Sequence, residues 1–117
     1  MDIGHLHLHV RDRELAEAFY RRWFGLATKS ADDAITFMSG DNGFLLALMG
    51  DPAPDPAPPW FHFGVPLDSA SRVRNMLAAM QAAGVPIVKP LYEDDSFVSF
   101  RCADPDAYAI EVYWDGS

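Results

Sequence analysis

The stretch HLHLHV at His5–Val10 returns about half a chain later as HFGVPL at His62–Leu67, and this pair of segments decides the fold. In the first, Leu6, Leu8 and Val10 alternate with His5, His7 and His9, the period of two expected of a strand with one packed face and one polar face. In the second, Phe63, Val65 and Leu67 take the apolar places and His62 takes that of His5; Pro66 is an unfavourable residue for such a run.

The pattern downstream of each segment also repeats. Asp12 predicts a cap for a helix over residues 13–24, with Leu15, Phe19 and Trp23 at i, i+4 and i+8 and Gly25 as its stop. Asp68 or Ser69 predicts the start of a second helix running to about Ala83, with Val73, Met76, Leu77 and Met80 at core spacing and Gly84 beyond it. Short strands are expected near 34–38 and 44–49 around the turn SGDNG, with a further one around 27–29, and then near 86–89, 97–102 and 108–114. The chain therefore reads as α+β, two β-α-β-β-β modules over residues 1–50 and 60–117 of a single domain. Between them DPAPDPAPP, residues 51–59, has too many prolines for a helix or a central strand and should run extended.

Composition agrees with one packed domain. The chain has 117 residues, of which 50% are hydrophobic and 13% aromatic, enough to build a core. Its net charge of -8, from 17 acidic and 9 basic residues with the basic ones scattered, repels phosphate backbones and anionic lipid, so neither nucleic acid nor membrane is an expected partner. No apolar run is long enough to span a bilayer and MDIGHLHLHV does not read as a signal peptide, which makes the cytoplasm the expected location. Cys102, the single cysteine, sits in an apolar strand pattern and is expected to be a buried, inert thiol.

The last strand carries the most pointed side chain. Ile110 and Val112 must face the helix layer, so Ala109, Glu111 and Tyr113 face the other way. A carboxylate flanked by Tyr108, Ile110, Val112 and Trp114 needs a counter-ion or hydrogen bonds. On the preceding strand the same alternation sets Ser99 and Arg101 apart from Val98, Phe100 and Cys102, and Arg101 is suited to clamp an anionic group bidentately. The run Glu93, Asp94 and Asp95 reads most simply as a solvated turn.

In four places, in order and at the right spacing, the chain resembles the vicinal oxygen chelate superfamily, which includes glyoxalase I, extradiol dioxygenases, fosfomycin resistance transferases and bleomycin resistance proteins. The carriers are GHLHLHVRD at 4–12, EAFYRRWFGL at 17–26, FHFGV at 61–65, and DPDAYAIEV at 104–112, which is similar to the family's DPDG-x-x-IEL. The resemblance implies two β-α-β-β-β units curled about a shared cleft that holds a divalent metal. It implies His5, His62 and Glu111 as ligands, an open set that suits Fe(II) or Mn(II), with Zn(II) or Ni(II) also compatible. Ala47 stands where a glyoxalase I would place a fourth, carboxylate ligand, and Ala107 replaces the hairpin glycine.

On this resemblance the expected function is a metal-dependent enzyme acting on a small substrate with two neighbouring oxygens, the ion serving as Lewis acid. His7 and Tyr113 are then candidates to move protons, and His9, Trp60, Ser99 and Arg101 candidates to contact substrate. The alternative is a non-catalytic protein that binds an antibiotic or other small ligand, as bleomycin resistance proteins do. A homodimer is expected from the resemblance alone.

Overall fold

The computed structural model describes all 117 residues, Met1–Ser117, as two compact units, Met1–Pro56 and Ala57–Ser117. Unit one runs β1 (His5–Val10), α1 (Arg13–Phe24), β2 (Ala27–Ala31), β3 (Ile35–Ser39) and β4 (Leu45–Gly50). Unit two runs β5 (His62–Pro66), α2 (Ala70–Ala82), β6 (Ile87–Glu93), β7 (Val98–Ala103) and β8 (Ala109–Trp114). Each forms a four-stranded sheet, in the orders β1-β4-β3-β2 and β5-β8-β7-β6. In both, the first and last strands pair in parallel and the remaining pairs are antiparallel. The expected α+β duplication is thus present, and no helix is long and apolar enough to cross a membrane.

Local chemistry accounts for the helix ends. The Asp12 carboxylate accepts the Leu15 N–H at 3.1 Å, and Gly25, at φ 67°, closes α1 in the left-handed conformation that glycine adopts without steric cost. For α2 the cap is Ser69, whose Oγ accepts from the Arg72 N–H at 3.2 Å, while Asp68 pairs with the Arg72 guanidinium one turn on. Both proline-bearing strands, β5 with Pro66 and β6 with Pro90, lie at sheet edges, where a missing N–H removes no ladder bond. Around Pro90 the β6–β7 register slips between Lys89 and Tyr92, and β6 runs on to Glu93, beyond the expected end at Lys89.

The packed face of α1 differs from the expected stripe. Leu15 is 55% exposed, whereas Ala16 and Tyr20 are fully buried, with Phe19 and Phe24 set against the Tyr20 ring at centroid distances of 5.2 and 6.1 Å. Methyl-sized Ala16 permits close approach to the sheet, so the apolar stripe centres one residue later than the Leu15–Phe19–Trp23 row; Trp23 instead carries the Arg22 guanidinium 4.5 Å above its ring. In α2 the buried residues are Val73 and Met80, as expected. The strands bury Leu8, Val10, Met38, Leu46 and Leu48 in unit one, and Val98, Phe100, Cys102, Ile110 and Val112 in unit two. Burial pushes the Cys102 thiol up to about 12, which disfavours the thiolate a nucleophile needs.

The turn between β7 and β8 sets the register of the last strand. The Asp104 carboxylate accepts the N–H groups of Asp106 and Tyr108, both at 2.9 Å, and the Asp104 carbonyl accepts that of Ala107 at 3.0 Å. Ala107 holds φ 68° where glycine would be unstrained. That conformation costs a residue with a Cβ about 1–2 kcal/mol, partly offset by the extra freedom glycine gives the unfolded chain, about 0.5–1 kcal/mol. Ala107→Gly is therefore expected to stabilise the protein by about 0.5–1 kcal/mol, read as a higher urea midpoint at unchanged slope; an equal or lower midpoint would contradict the strain.

Candidate functional site

Glu111 stands on β8 between two strands that bring polar groups to it. Its register partner on β5 is Gly64, and on β7 it is Arg101. The alternation that buries Ile110 and Val112 turns Glu111 to the opposite face, shared with His62, whose partner Ala109 lies two residues before it. Gly64 offers no side chain, so the nearest imidazole across the strand boundary is that of His62: its Nε2 lies 3.6 Å from Glu111 Oε1. Arg101 Nε donates to the same oxygen at 3.3 Å. The side chains of Glu111 and Arg101 are only 18% and 22% exposed.

The His62 ring is held from behind. Its Nδ1 lies 3.1 Å from the Trp60 carbonyl oxygen, which can only accept, so Nδ1 carries the hydrogen. In the neutral ring this leaves the Nε2 lone pair facing a carboxylate oxygen. Two acceptors in that relation call for a donor or a cation between them, and an imidazole whose other nitrogen donates to a backbone carbonyl is oriented as metal-binding imidazoles are. Trp60 itself is 73% exposed, its ring edge-on to Phe61.

Beside this group Tyr113 stacks on Phe97, centroids 6.1 Å apart, and reaches over Gly64, where an added Cβ would come within 2.9 Å of Tyr113 Cε1. Ser99, opposite Tyr113 in the β7–β8 ladder, is 7% exposed and presents little surface to a ligand. Past the end of β6, the Asp94 carboxylate is taken up by the Tyr92 hydroxyl at 2.6 Å and by the Ser96 and Phe97 N–H groups, both at 2.8 Å, which hold its acid below the usual range. It serves the turn.

The polar face of unit one has its own arrangement. His5 and His7 are exposed, and the His7 and His9 rings lie 5.1 Å apart. His9 Nδ1 meets Asp51 Oδ2 at 2.9 Å. Asp51 was not among the expected site residues; it stands where β4 gives way to the proline-rich connector, and an Asp–Pro at a strand end is the one signal that marks it. The His9 hydrogen bond, with a second from the Ala53 N–H, draws its carboxyl below the ordinary 3.8. In the β1–β4–β3 ladder Ala47 pairs with His7 and Phe37, as Glu111 pairs with Gly64 and Arg101 in the other unit. Ala47 thus occupies the counterpart of Glu111, and Phe37 that of Arg101. No three His, Cys, Asp or Glu side chains gather into a group that could hold a metal ion. Unit two brings together His62, Glu111 and Arg101, with Tyr113 beside them; unit one carries His5, His7 and His9.

The model of the Glyoxalase/Bleomycin resistance protein/Dioxygenase superfamily matches residues 2–112. Among solved structures, a possible glyoxalase from Bacillus cereus is 29% identical, with 96% of this chain and 97% of that one covered and a TM-score of 0.83. A genomically encoded fosfomycin resistance protein from Listeria monocytogenes, 19% identical, aligns over 97% and 93% of the two chains at a TM-score of 0.83. A lactoylglutathione lyase from Agrobacterium tumefaciens, 22% identical, aligns over 97% and 92% at 0.76. At those identities the last two establish likeness of fold alone. No curated protein matches the chain.

The hydrogen bonds at His62 and Asp51 each lead to a measurable outcome. In long-range nitrogen–proton correlation spectra, neutral His62 should be the Nδ1-protonated tautomer; the opposite tautomer would contradict the Trp60 bond. Asp51 has a folded value lowered from 3.8, so its stabilising effect is present above that value and is lost as pH falls through the lowered one. The stability gap between wild type and Asp51→Asn, measured by urea unfolding across pH, should therefore close below pH 3.8; a gap unchanged to pH 2, or one that opens on acidification, would contradict this.

Proposed function

Because the chain belongs to the Glyoxalase/Bleomycin resistance protein/Dioxygenase superfamily, we propose that it is a metal-dependent enzyme acting on a small substrate with two neighbouring oxygens. Its ligands on this reading are His5, His62 and Glu111. The observation that carries it is the facing pair of His62 Nε2 and Glu111 Oε1, 3.6 Å apart, with the imidazole tautomer set by the Trp60 carbonyl. Imidazole nitrogen and carboxylate oxygen are donors that Fe(II) and Mn(II) accept with positions to spare, and Zn(II) or Ni(II) also fits them. When bound, such an ion supplies Lewis acidity toward the two substrate oxygens.

The chain's own groups do the rest. Tyr113, its ring stacked on Phe97 and set over Gly64, would donate its hydroxyl proton to a substrate oxygen. His7, exposed on β1, is the second candidate to hold or move a proton. His9, whose Nδ1 lies 2.9 Å from Asp51 Oδ2, is a candidate to contact substrate. The terminal guanidinium nitrogens of Arg101 can orient an anionic group, and Trp60 can cover a planar one. Ser99, the register partner of Tyr113, is the remaining candidate to contact substrate. We place these groups in one domain, in a cytoplasmic homodimer.

One observation favours a second reading. Arg101 already supplies Glu111 with a cation, as a metal-free protein that binds an antibiotic or other small ligand would require. Calorimetry of metal-stripped protein with Mn(II) separates the two. The enzyme reading expects about one ion per chain for wild type and a loss of at least about 100-fold in affinity for Glu111→Ala, more than the loss of an outer-shell partner produces. Negligible binding by both, with a planar aromatic antibiotic bound stoichiometrically by the metal-free protein, would favour the binding protein.

A further inference from the structure

We propose that Arg101 sets this chain's affinity for a divalent cation: its guanidinium and the ion compete for one oxygen of Glu111, and the arginine keeps metal binding weak. The inference rests on the metal reading above, since a chain that takes no ion has no such affinity to set.

The competition is visible in a single atom. Glu111 Oε1 faces His62 Nε2 at 3.6 Å, the relation a bridging cation would use, and the same Oε1 accepts from Arg101 Nε at 3.3 Å. An ion held by His62 and Oε1 must share or displace that hydrogen bond. The arginine's charge is not easily removed afterwards. Arg101 and Glu111 are register partners on adjacent strands, so their Cβ atoms remain about 4.5–5.5 Å apart whichever cation the carboxylate faces. With the two side chains 22% and 18% exposed, water screens the repulsion between guanidinium and ion incompletely.

The duplicated sheet supplies an internal contrast. At the counterparts of Glu111 and Arg101, unit one has Ala47 and Phe37, again register partners. The carboxylate and the arginine are present together in one sheet and absent together in the other, as expected of two residues that act as a pair. Within unit two, Glu111 is the only hydrogen-bonding partner of the guanidinium, so the contact is specific to that carboxylate.

The test is Mn(II) affinity, by calorimetry on metal-stripped protein, for wild type, two neutral variants, Arg101→Gln and Arg101→Met, and Arg101→Lys, with thermal melts to confirm folding. Loss of the charge should tighten binding by at least about tenfold in either neutral variant, while Arg101→Lys, which keeps the charge, should stay within about threefold of wild type. If wild type binds and the neutral variants bind equally or more weakly, the competition is refuted and the metal reading stands. A lysine variant as tight as the neutral ones would also refute it. If none of the folded proteins binds, the metal reading fails and this inference with it.

Discussion

The pairing of β8 with β5 on one side and β7 on the other is the constraint on which the polar face of the second unit depends. A slip of one residue would turn Ile110 or Val112 outward and Glu111 into the core, because side chains alternate between faces at every step of a strand. Both neighbouring pairings resist such a slip. On the β7 side, Asp104 closes the turn with its own carboxylate, which is 4% exposed and accepts two backbone N–H groups. On the β5 side, the Leu67 N–H donates to the Tyr113 carbonyl at 2.7 Å, just beyond the parallel ladder. The carboxylate that faces His62 is therefore positioned by a second carboxylate seven residues earlier, through the turn that it closes.

The two units show how one topology carries two chemistries. Strand order, the parallel pairing of first and last strands, and the capped helix after the first strand are the same in both. Apart from the histidine shared by His5 and His62, the side chains at matching ladder positions on the polar face differ. Unit one has His7 where unit two has Gly64, Ala47 where it has Glu111, Phe37 where it has Arg101, and Met49 where it has Tyr113. The glycine and the tyrosine belong together, since the Tyr113 ring lies where a side chain at position 64 would begin. The histidines of unit one thus line its edge strand β1, while His62, Glu111 and Arg101 of unit two come from β5, β8 and β7.

Most of the fold was legible because it rests on short-range signals. Alternation in HLHLHV, caps at Asp12 and Ser69, and stops at Gly25 and Gly84 each act within a few residues. The α1 stripe departs from the Leu15–Phe19–Trp23 spacing for a tertiary reason. Leu15, Phe19 and Trp23 are large, but the tightest approach was decided by the small Ala16 below Tyr20, a property of the opposing surface that a helical period does not contain. The candidate site was legible residue by residue and not as contacts. The face shared by Ser99 and Arg101 followed from alternation, yet that Arg101 meets Glu111, and Ser99 is buried opposite Tyr113, depends on hairpin register. Asp51 escaped notice because its role comes from a strand partner 42 residues away.

The structure also changes what the apolar setting of Glu111 implies. Flanked by Ile110 and Val112, its carboxylate needs a partner, and a metal is one way to meet that need. The chain itself provides another, the Arg101 guanidinium, so partial burial of the charge does not by itself call for an ion. What a guanidinium on β7 leaves unmet is the other side of the group. With Nδ1 committed to the Trp60 carbonyl, the neutral His62 ring presents a lone pair to Glu111 Oε1, and Arg101, hydrogen-bonded to the carboxylate, gives that lone pair no proton. A cation, or a donor of two hydrogens such as water, satisfies both atoms. The unmet need therefore lies less with the carboxylate than with the imidazole, through the hydrogen bond that fixes its tautomer.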